Sequence, residues 1–285
     1  MSLNRSCVGR QYRGPDMVVT SEAIAAYARA CNDVNPRYFA TGDTRAIAPP
    51  MFAAVVAWVP LIAALTDPEL HADLLRLLHV GQEMRFYRPI QPGDEITAAA
   101  TITAIEKAAG GEALTVELTA SDRRGELLNQ SWFSALIRGR RGGERRGRES
   151  AAPVQVTAPI AEVTEVIDPD QTLRYAEASG DRNPIHTDPA VARMAGLPGI
   201  IVHGLCTMAF AVRALVDNVG AGDPARLERV AARFARPVFP GETVTTAIWP
   251  LEGAERKRRY SFATTNREGL VVIRDGLAEI ADAAR

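Results

Sequence analysis

Apolar residues fall into two kinds of pattern along this chain. In two places they run almost unbroken, over Pro50–Leu65 and Gly204–Val219. A helix apolar on every side offers no face to water and has to be enclosed. Elsewhere, β-branched and aromatic residues alternate with polar ones at a period of two, which predicts strands over Glu95–Ile105, Ala113–Ala120, Asn129–Ile137, Thr243–Trp249, Arg259–Thr264 and Leu270–Ile280. A shorter helical segment precedes each apolar run. Thr20 or Ser21 caps the first, and Asp168-Pro169 starts the second with a cap and a proline at the first helical position. A long enclosed helix followed by antiparallel strands, twice over, predicts a sheet wrapped around each helix, an α+β class.

The doubling is visible in the residues themselves. Tyr27-Ala-Arg-Ala-Cys-Asn-Asp-Val-Asn-Pro36 matches Tyr175-Ala-Glu-Ala-Ser-Gly-Asp-Arg-Asn-Pro184 at six of ten positions, 148 residues apart. The same offset matches Arg85–Gly93 with Arg233–Gly241 at six positions, and places Pro50 in register with Pro198. Self-similarity on one offset marks an internal repeat. The chain divides into a first repeat over 1–138, a linker over 139–157 rich in Arg, Gly, Glu, Ser and Ala, and a second repeat over 158–285.

Composition narrows the class. With 47% hydrophobic and 24% charged residues the chain reads as a globular protein. A net charge of −1 gives no global field for nucleic acid or anionic lipid. Arg138, Arg140, Arg141, Arg145, Arg146 and Arg148 are the one basic cluster, either plain linker charge or a rim drawing in an anionic substrate. Three scattered cysteines make no disulfide framework, and the longest apolar stretch is too short for a membrane span. A cytoplasmic protein that does not enter membranes is expected.

Candidate chemistry concentrates in the second repeat. Gly180 is placed to end the helix that carries Tyr175, Asn183-Pro184 favours a turn, and Asp188-Pro189 starts the next helix over 190–195. Asp181 and His186 therefore sit on a short loop pinned at both ends. A carboxylate and an imidazole aimed at one point can orient a water and exchange protons with it near neutral pH. Locally the pattern also fits capping or surface residues. His203-Gly204 opens the second apolar helix, where backbone N–H groups lack intrahelical partners and negative charge is favoured, and Gly204 lets a substrate approach. In the first repeat Asp33 and Asn35 match Asp181 and Asn183, but Tyr38 stands in place of His186, and Phe52 and its apolar neighbours lie near the counterpart of His203-Gly204. One working and one silent repeat is the expected outcome, with Asp33 and Asn35 structural. The four histidines are scattered along the chain and form no evident metal-ligand motif.

At Ser179–Pro189, Ile201–Thr207 and Ala232–Gly241 the sequence resembles the MaoC-like hydratase family, and especially its (3R)-specific enoyl-CoA hydratase 2 domains. Val8-Gly-Arg, Asn32–Pro36 and Ala48–Phe52 resemble the weaker N-terminal repeat of such proteins. The resemblance implies a double hot-dog fold and reversible hydration of a trans-2-enoyl thioester to the (3R)-3-hydroxyacyl thioester. It implies that Asp181 and His186 activate the water, Asn183 supports the site, the Gly204 amide binds the thioester oxygen and Phe234 lines the substrate. In the first repeat it points to His79, Val80 and Lys107 as substrate contacts, Lys107 toward the CoA phosphates. It implies no metal or redox cofactor. The expected partners are an acyl-CoA or acyl carrier protein thioester, with a homodimer as a compatible assembly. A dehydratase acting on carrier-protein thioesters, or a silent thioester-binding subunit, are the competing expectations. Pro49-Pro50 and Pro60 would make the Met51–Leu65 helix irregular and so leave room for a medium or longer acyl chain.

Overall fold

The structure, a computed structural model, describes residues 2–39, 46–139, 157–252 and 257–282. The expected linker falls almost wholly outside them, as do all arginines of the basic cluster except Arg138.

The first repeat contains β1 (Gln11–Arg13), β2 (Met17–Val18), α1 (Ser21–Ala30), α2 (Ala53–Val56), α3 (Trp58–Leu65), β3 (Leu77–Phe86), β4 (Glu95–Ala108), β5 (Gly111–Asp122) and β6 (Leu127–Arg138). The second contains β7 (Ala161–Val166), α4 (Gln171–Ser179), α5 (Pro189–Met194), α6 (Gly204–Asn218), β8 (Leu227–Phe234), β9 (Thr243–Leu251), β10 (Lys257–Asn266) and β11 (Val271–Ala281). All six strands expected from alternation are present, five of them slightly longer than the pattern marks and β11 shifted by one residue.

One antiparallel sheet runs through both repeats in the order β1-β4-β5-β6-β3-β8-β11-β10-β9-β7, with β2 added on β4. The seam is the β3–β8 pair, where Gly81 faces Arg233 and Arg85 faces Arg229. Those two pairs exchange places under the 148-residue offset, so the seam lies on a local two-fold axis. Across it Arg229 Nε reaches Glu83 Oε1 at 2.8 Å. Beside it the α1 and α4 tyrosines meet, Tyr27 and Tyr175, with ring centroids 5.7 Å apart.

The sheet curls around the apolar helices, because each has to be enclosed. Helix α6 buries Cys206 through Val212 without interruption. Its counterpart is broken: a 3-10 turn at Pro50–Phe52, then α2, then a break at Ala57 before α3. Pro60 lacks the N–H that would continue the ladder to Val56, which accounts for the break.

Two local expectations are corrected. Helix α4 begins at Gln171, with Asp170 before it giving no side-chain cap, so Asp168 does not cap it. Asp168 instead receives the Arg174 guanidinium at 2.5 Å and the Asn32 amide at 3.0 Å. Pro50 also does not correspond to Pro198. The Ala48 amide bonds Ile90 O as the Val202 amide bonds Val238 O, and Ile47 bonds Arg37 O as Ile201 bonds Ile185 O. Pro49 and Pro50 therefore stand where the second repeat has His203 and Gly204.

Candidate active site

The loop after α4 is built by short-range hydrogen bonds that its sequence dictates. Gly180 adopts φ 80°, ending α4 in the left-handed conformation that glycine takes without strain. The Asn183 amide donates to Asp181 Oδ1 at 3.1 Å, and Asn183 Oδ1 accepts from the Ile185 amide at 3.3 Å, starting the 3-10 turn Pro184–His186. Asp188 then caps α5 through the Ala190 and Val191 amides. Asn183 thus steadies Asp181 and delivers His186 while its own side chain stays exposed.

His186 is buried, and its Nδ1 lies 2.8 Å from the Ile201 carbonyl. A carbonyl only accepts, so Nδ1 carries the proton and Nε2 presents a lone pair. Burial holds this imidazole down to about 4, so it is neutral at pH 7. Burial acts oppositely on Asp181, pushing its carboxyl up to about 6 against the bond from Asn183. The two environments bring the proton affinities of an acid and a base within reach of each other.

A third group joins them. His203 precedes α6, 1% exposed, and its ring stacks on His186 with centroids 3.8 Å apart and 26° between planes. Its Nε2 donates to the Asp181 backbone carbonyl at 3.0 Å, while buried Nδ1 has no partner among the described residues. Ligand atoms of Asp181, His186 and His203 lie within 4.8 Å of one another. The histidines scattered in sequence are therefore gathered in space. His79 is close enough for His186 to add to the lowering of its own pKa, which burial takes to about 4. His186 Nδ1 and His203 Nε2 are each taken up by a backbone carbonyl, which leaves His186 Nε2 and the Asp181 carboxylate to meet a small molecule.

Helix α6 begins at Gly204 with no side-chain cap from His203, and its first backbone bond is Thr207 to the His203 carbonyl. The Phe234 ring lies against Gly204 closely enough that an added Cβ would meet three ring atoms at 3.4–3.5 Å. Phe234 in turn packs against His79, centroids 4.8 Å apart with the rings tilted by 60°. Val80 is the extra residue of a β-bulge between His79 and Gly81, where the register of β3 on β6 shifts. The first repeat thus closes one wall of the second repeat's site. Lys107 is not in the cluster. It is exposed near the β4–β5 turn, facing Glu112 in a row that runs through Ile137 to Leu77. Three strand spacings put it about 14 Å from β3. Arg138 reaches the Ala195 carbonyl, just after α5, at 3.5 Å.

His203 is the residue that sequence reasoning left as a mere helix start. A histidine set in an otherwise apolar run, immediately before the glycine that opens the helix, is the signal that marks it.

An acid–base pair beside an open helix start, on a double hot-dog scaffold, defines the class as a thioester hydratase or dehydratase fold. The comparisons place it further. Residues 146–271 match a MaoC like domain and residues 6–130 match a FAS1-like, dehydratase domain region. The chain is 37% identical over 210 residues to 3-hydroxyacyl-thioester dehydratase Y of Mycobacterium tuberculosis, covering 71% of this chain and 72% of that one. It is 32% identical over 216 residues to the peroxisomal enoyl-CoA hydratase 2 of Arabidopsis thaliana, covering 72% and 69%. Among solved structures, a MaoC-like dehydratase from Phytophthora capsici superimposes with a TM-score of 0.80 at 24% identity, over 98% of both chains. This chain belongs to the MaoC-like hydratase/dehydratase family.

Proposed function

We propose that the protein is a hydro-lyase that adds water reversibly to trans-2-enoyl-CoA, giving (3R)-3-hydroxyacyl-CoA. The observation that carries the reading is the convergence of Asp181 and His186 immediately beside the opening of α6. A water between them donates one hydrogen bond to His186 Nε2 and one to the Asp181 carboxylate, leaving its lone pair for C3 of the enoyl group. Asp181 takes the water's proton as the C3–O bond forms and passes it to C2 from the same face. The thioester oxygen meets the Gly204 N–H as enolate charge develops, where a fixed donor counts most. In dehydration the same carboxylate takes the C2 proton and gives it to the departing hydroxyl. Each step balances without a metal or redox cofactor.

The relatives' names point to acyl-CoA and to hydroxyacyl thioesters, and we take CoA as the carrier. The broken α2–α3 helix favours an acyl chain of medium or greater length. We assign the protein to the cytoplasm: Cys7, Cys31 and Cys206 are free and buried, as suits a reducing compartment, and no helix among the described residues is long and apolar enough to cross a membrane.

The test is loss of enoyl absorbance with crotonyl-, octenoyl- and longer enoyl-CoA, with chiral analysis of the product. Asp181→Asn and His186→Ala should each lower kcat by about 10²–10⁴-fold with unchanged circular dichroism. Unaltered turnover in either variant would remove the assignment.

A further inference from the structure

The loop after α1 and the loop after α4 each leave their helix through one left-handed residue. These are Asn32 at φ 55° and Gly180 at φ 80°, which match under the 148-residue offset. Asparagine tolerates that conformation, and in the first repeat its side chain is put to use. The Asn32 amide reaches Asp168 at 3.0 Å, and its Oδ1 accepts from Arg174 at 3.0 Å. The backbone alone therefore does not demand glycine at position 180. The neighbour does: a Cβ on Gly180 would lie 3.2 Å from Cδ1 and 3.7 Å from Nε1 of Trp58, so the indole rests on the bare Cα.

Trp58 belongs to the other repeat. It is the first residue of α3, directly after the break at Ala57. Two residues on, Pro60 seats on a second bare glycine, where a Cβ on Gly14 would stand 2.9 Å from the ring Cδ. The first turn of α3 is thus wedged between Gly14 of its own repeat and Gly180 of the other. Counted from Pro49-Pro50, Trp58 stands where α6 has Val212, one residue before Arg213. Arg213 Nη1 donates to the Asn32 carbonyl at 2.7 Å. Each left-handed residue is therefore held by the central helix of the opposite repeat, Asn32 through a hydrogen bond and Gly180 through a ring. The Trp58 indole N–H makes no hydrogen bond to the described residues, so its hold is by contact.

Gly180 is joined directly to Asp181, whose amide donates to Ser179 Oγ at 3.2 Å and whose carbonyl accepts from His203. A shift of Gly180 passes to Asp181 through one rigid peptide. We propose that Trp58 is a positioning residue: resting on Gly180, it fixes where the loop leaves α4 and hence where Asp181 and His186 stand. This rests on the hydratase reading for the reaction whose rate it sets. The silent repeat then contributes to turnover as well as to the scaffold.

Trp58→Ala, Trp58→Leu and Trp58→Phe, each in the full chain, are compared by hydrogen exchange and by hydration of crotonyl-CoA. Trp58→Ala should speed exchange of the bonded amides in residues 180–186 about tenfold or more, and leave residues 32–38, held by Arg213, at the wild-type rate. Its kcat should fall about 10- to 100-fold with KM within about threefold. Trp58→Phe returns a ring to Gly180 and should recover most of both. Trp58→Leu refills much of the volume without the flat ring; it should loosen the loop as alanine does, and it serves where the alanine variant does not fold. Exchange that rises equally in both loops, or a Trp58→Leu that behaves as wild type, reduces the residue to core packing and overturns the proposal. A wild type that hydrates no enoyl-CoA strikes the hydratase reading instead, and the exchange comparison still decides what Trp58 does to the loop.

Discussion

The ring of His203 lies flat on the ring of His186 and holds the backbone carbonyl of Asp181 with its Nε2. One side chain thereby fixes the plane of the imidazole and the position of the carboxylate-bearing residue. It needs no contact with substrate to matter.

His203 is accordingly a positioning residue. His203→Phe keeps the stack but loses the bond to Asp181, and should lower kcat about 10- to 100-fold, the usual cost of a small misplacement, with KM within about threefold. His203→Gln restores a donor and should recover part of kcat. Equal loss in both variants, with equal loss of stability, would reduce His203 to packing.

Asp181 sets the pH dependence. The shuttle needs its carboxylate, and burial places the midpoint at about 6. In either direction kcat/KM should rise through about pH 6 and level off above it, since His186, held down to about 4, is already neutral there. A rate that falls as pH rises through 6 would show that Asp181 acts in its protonated form.

The same shift has a cost in stability, with a definite sign. The folded pKa of Asp181 lies above its unfolded value near 3.9. The group therefore favours folding fully below about pH 4, and that contribution is lost as pH rises through 6. Asp181→Asn should be more stable than wild type at pH 7–8, by about 1–3 kcal/mol, with the gain vanishing near pH 4. His186 works the other way: its contribution is present above about 6.5 and lost as pH falls through 4. Thermal melts across pH 4–8 on wild type and Asp181→Asn read both trends.

Much of this was legible in the residues. The 148-residue repeat gave two scaffolds, alternation gave six strands, and the Asp181–His186 spacing gave the loop. The strands that join the repeats were not marked. Leu77–Phe86 and Leu227–Phe234 sit at the seam, paired on both sides and interrupted in β3 by the Val80 bulge, so neither shows clean alternation. The meeting of His79, His186 and His203 was also hidden, because it depends on that seam and on a ring stack, which no spacing along one chain encodes.

Gly204 is where packing and chemistry compete. A Cβ there would press on three atoms of Phe234, beside the N–H proposed to meet the thioester oxygen. Gly204→Ala should lower kcat about 10-fold or more while shifting stability little, since the Phe234 ring is half-buried and can give way. Adding Phe234→Leu should restore stability but not rate if the lost term is access to the amide. Recovery of full rate would assign the loss to the ring alone.

Restoring the imidazole alone should not revive the first repeat. Its loop has kept the geometry: the Asn35 amide bonds Asp33 Oδ1 at 3.1 Å, and Asn35 Oδ1 accepts from Arg37 at 3.0 Å, as in the catalytic copy. Tyr38, buried and hydrogen-bonded to the Asp33 carboxylate, now closes that carboxylate off. Tyr38→His would supply a ring, but Pro49 leaves it without the stacking neighbour that holds the Asp carbonyl, and Pro50 offers no N–H to the thioester oxygen. In a His186→Ala background, Tyr38→His should therefore leave turnover at the His186→Ala level, and only the further change of Pro49→His with Pro50→Gly should raise it. Turnover regained by Tyr38→His alone would mean that the helix-start amide is dispensable, and the oxyanion role given to Gly204 would fall with it.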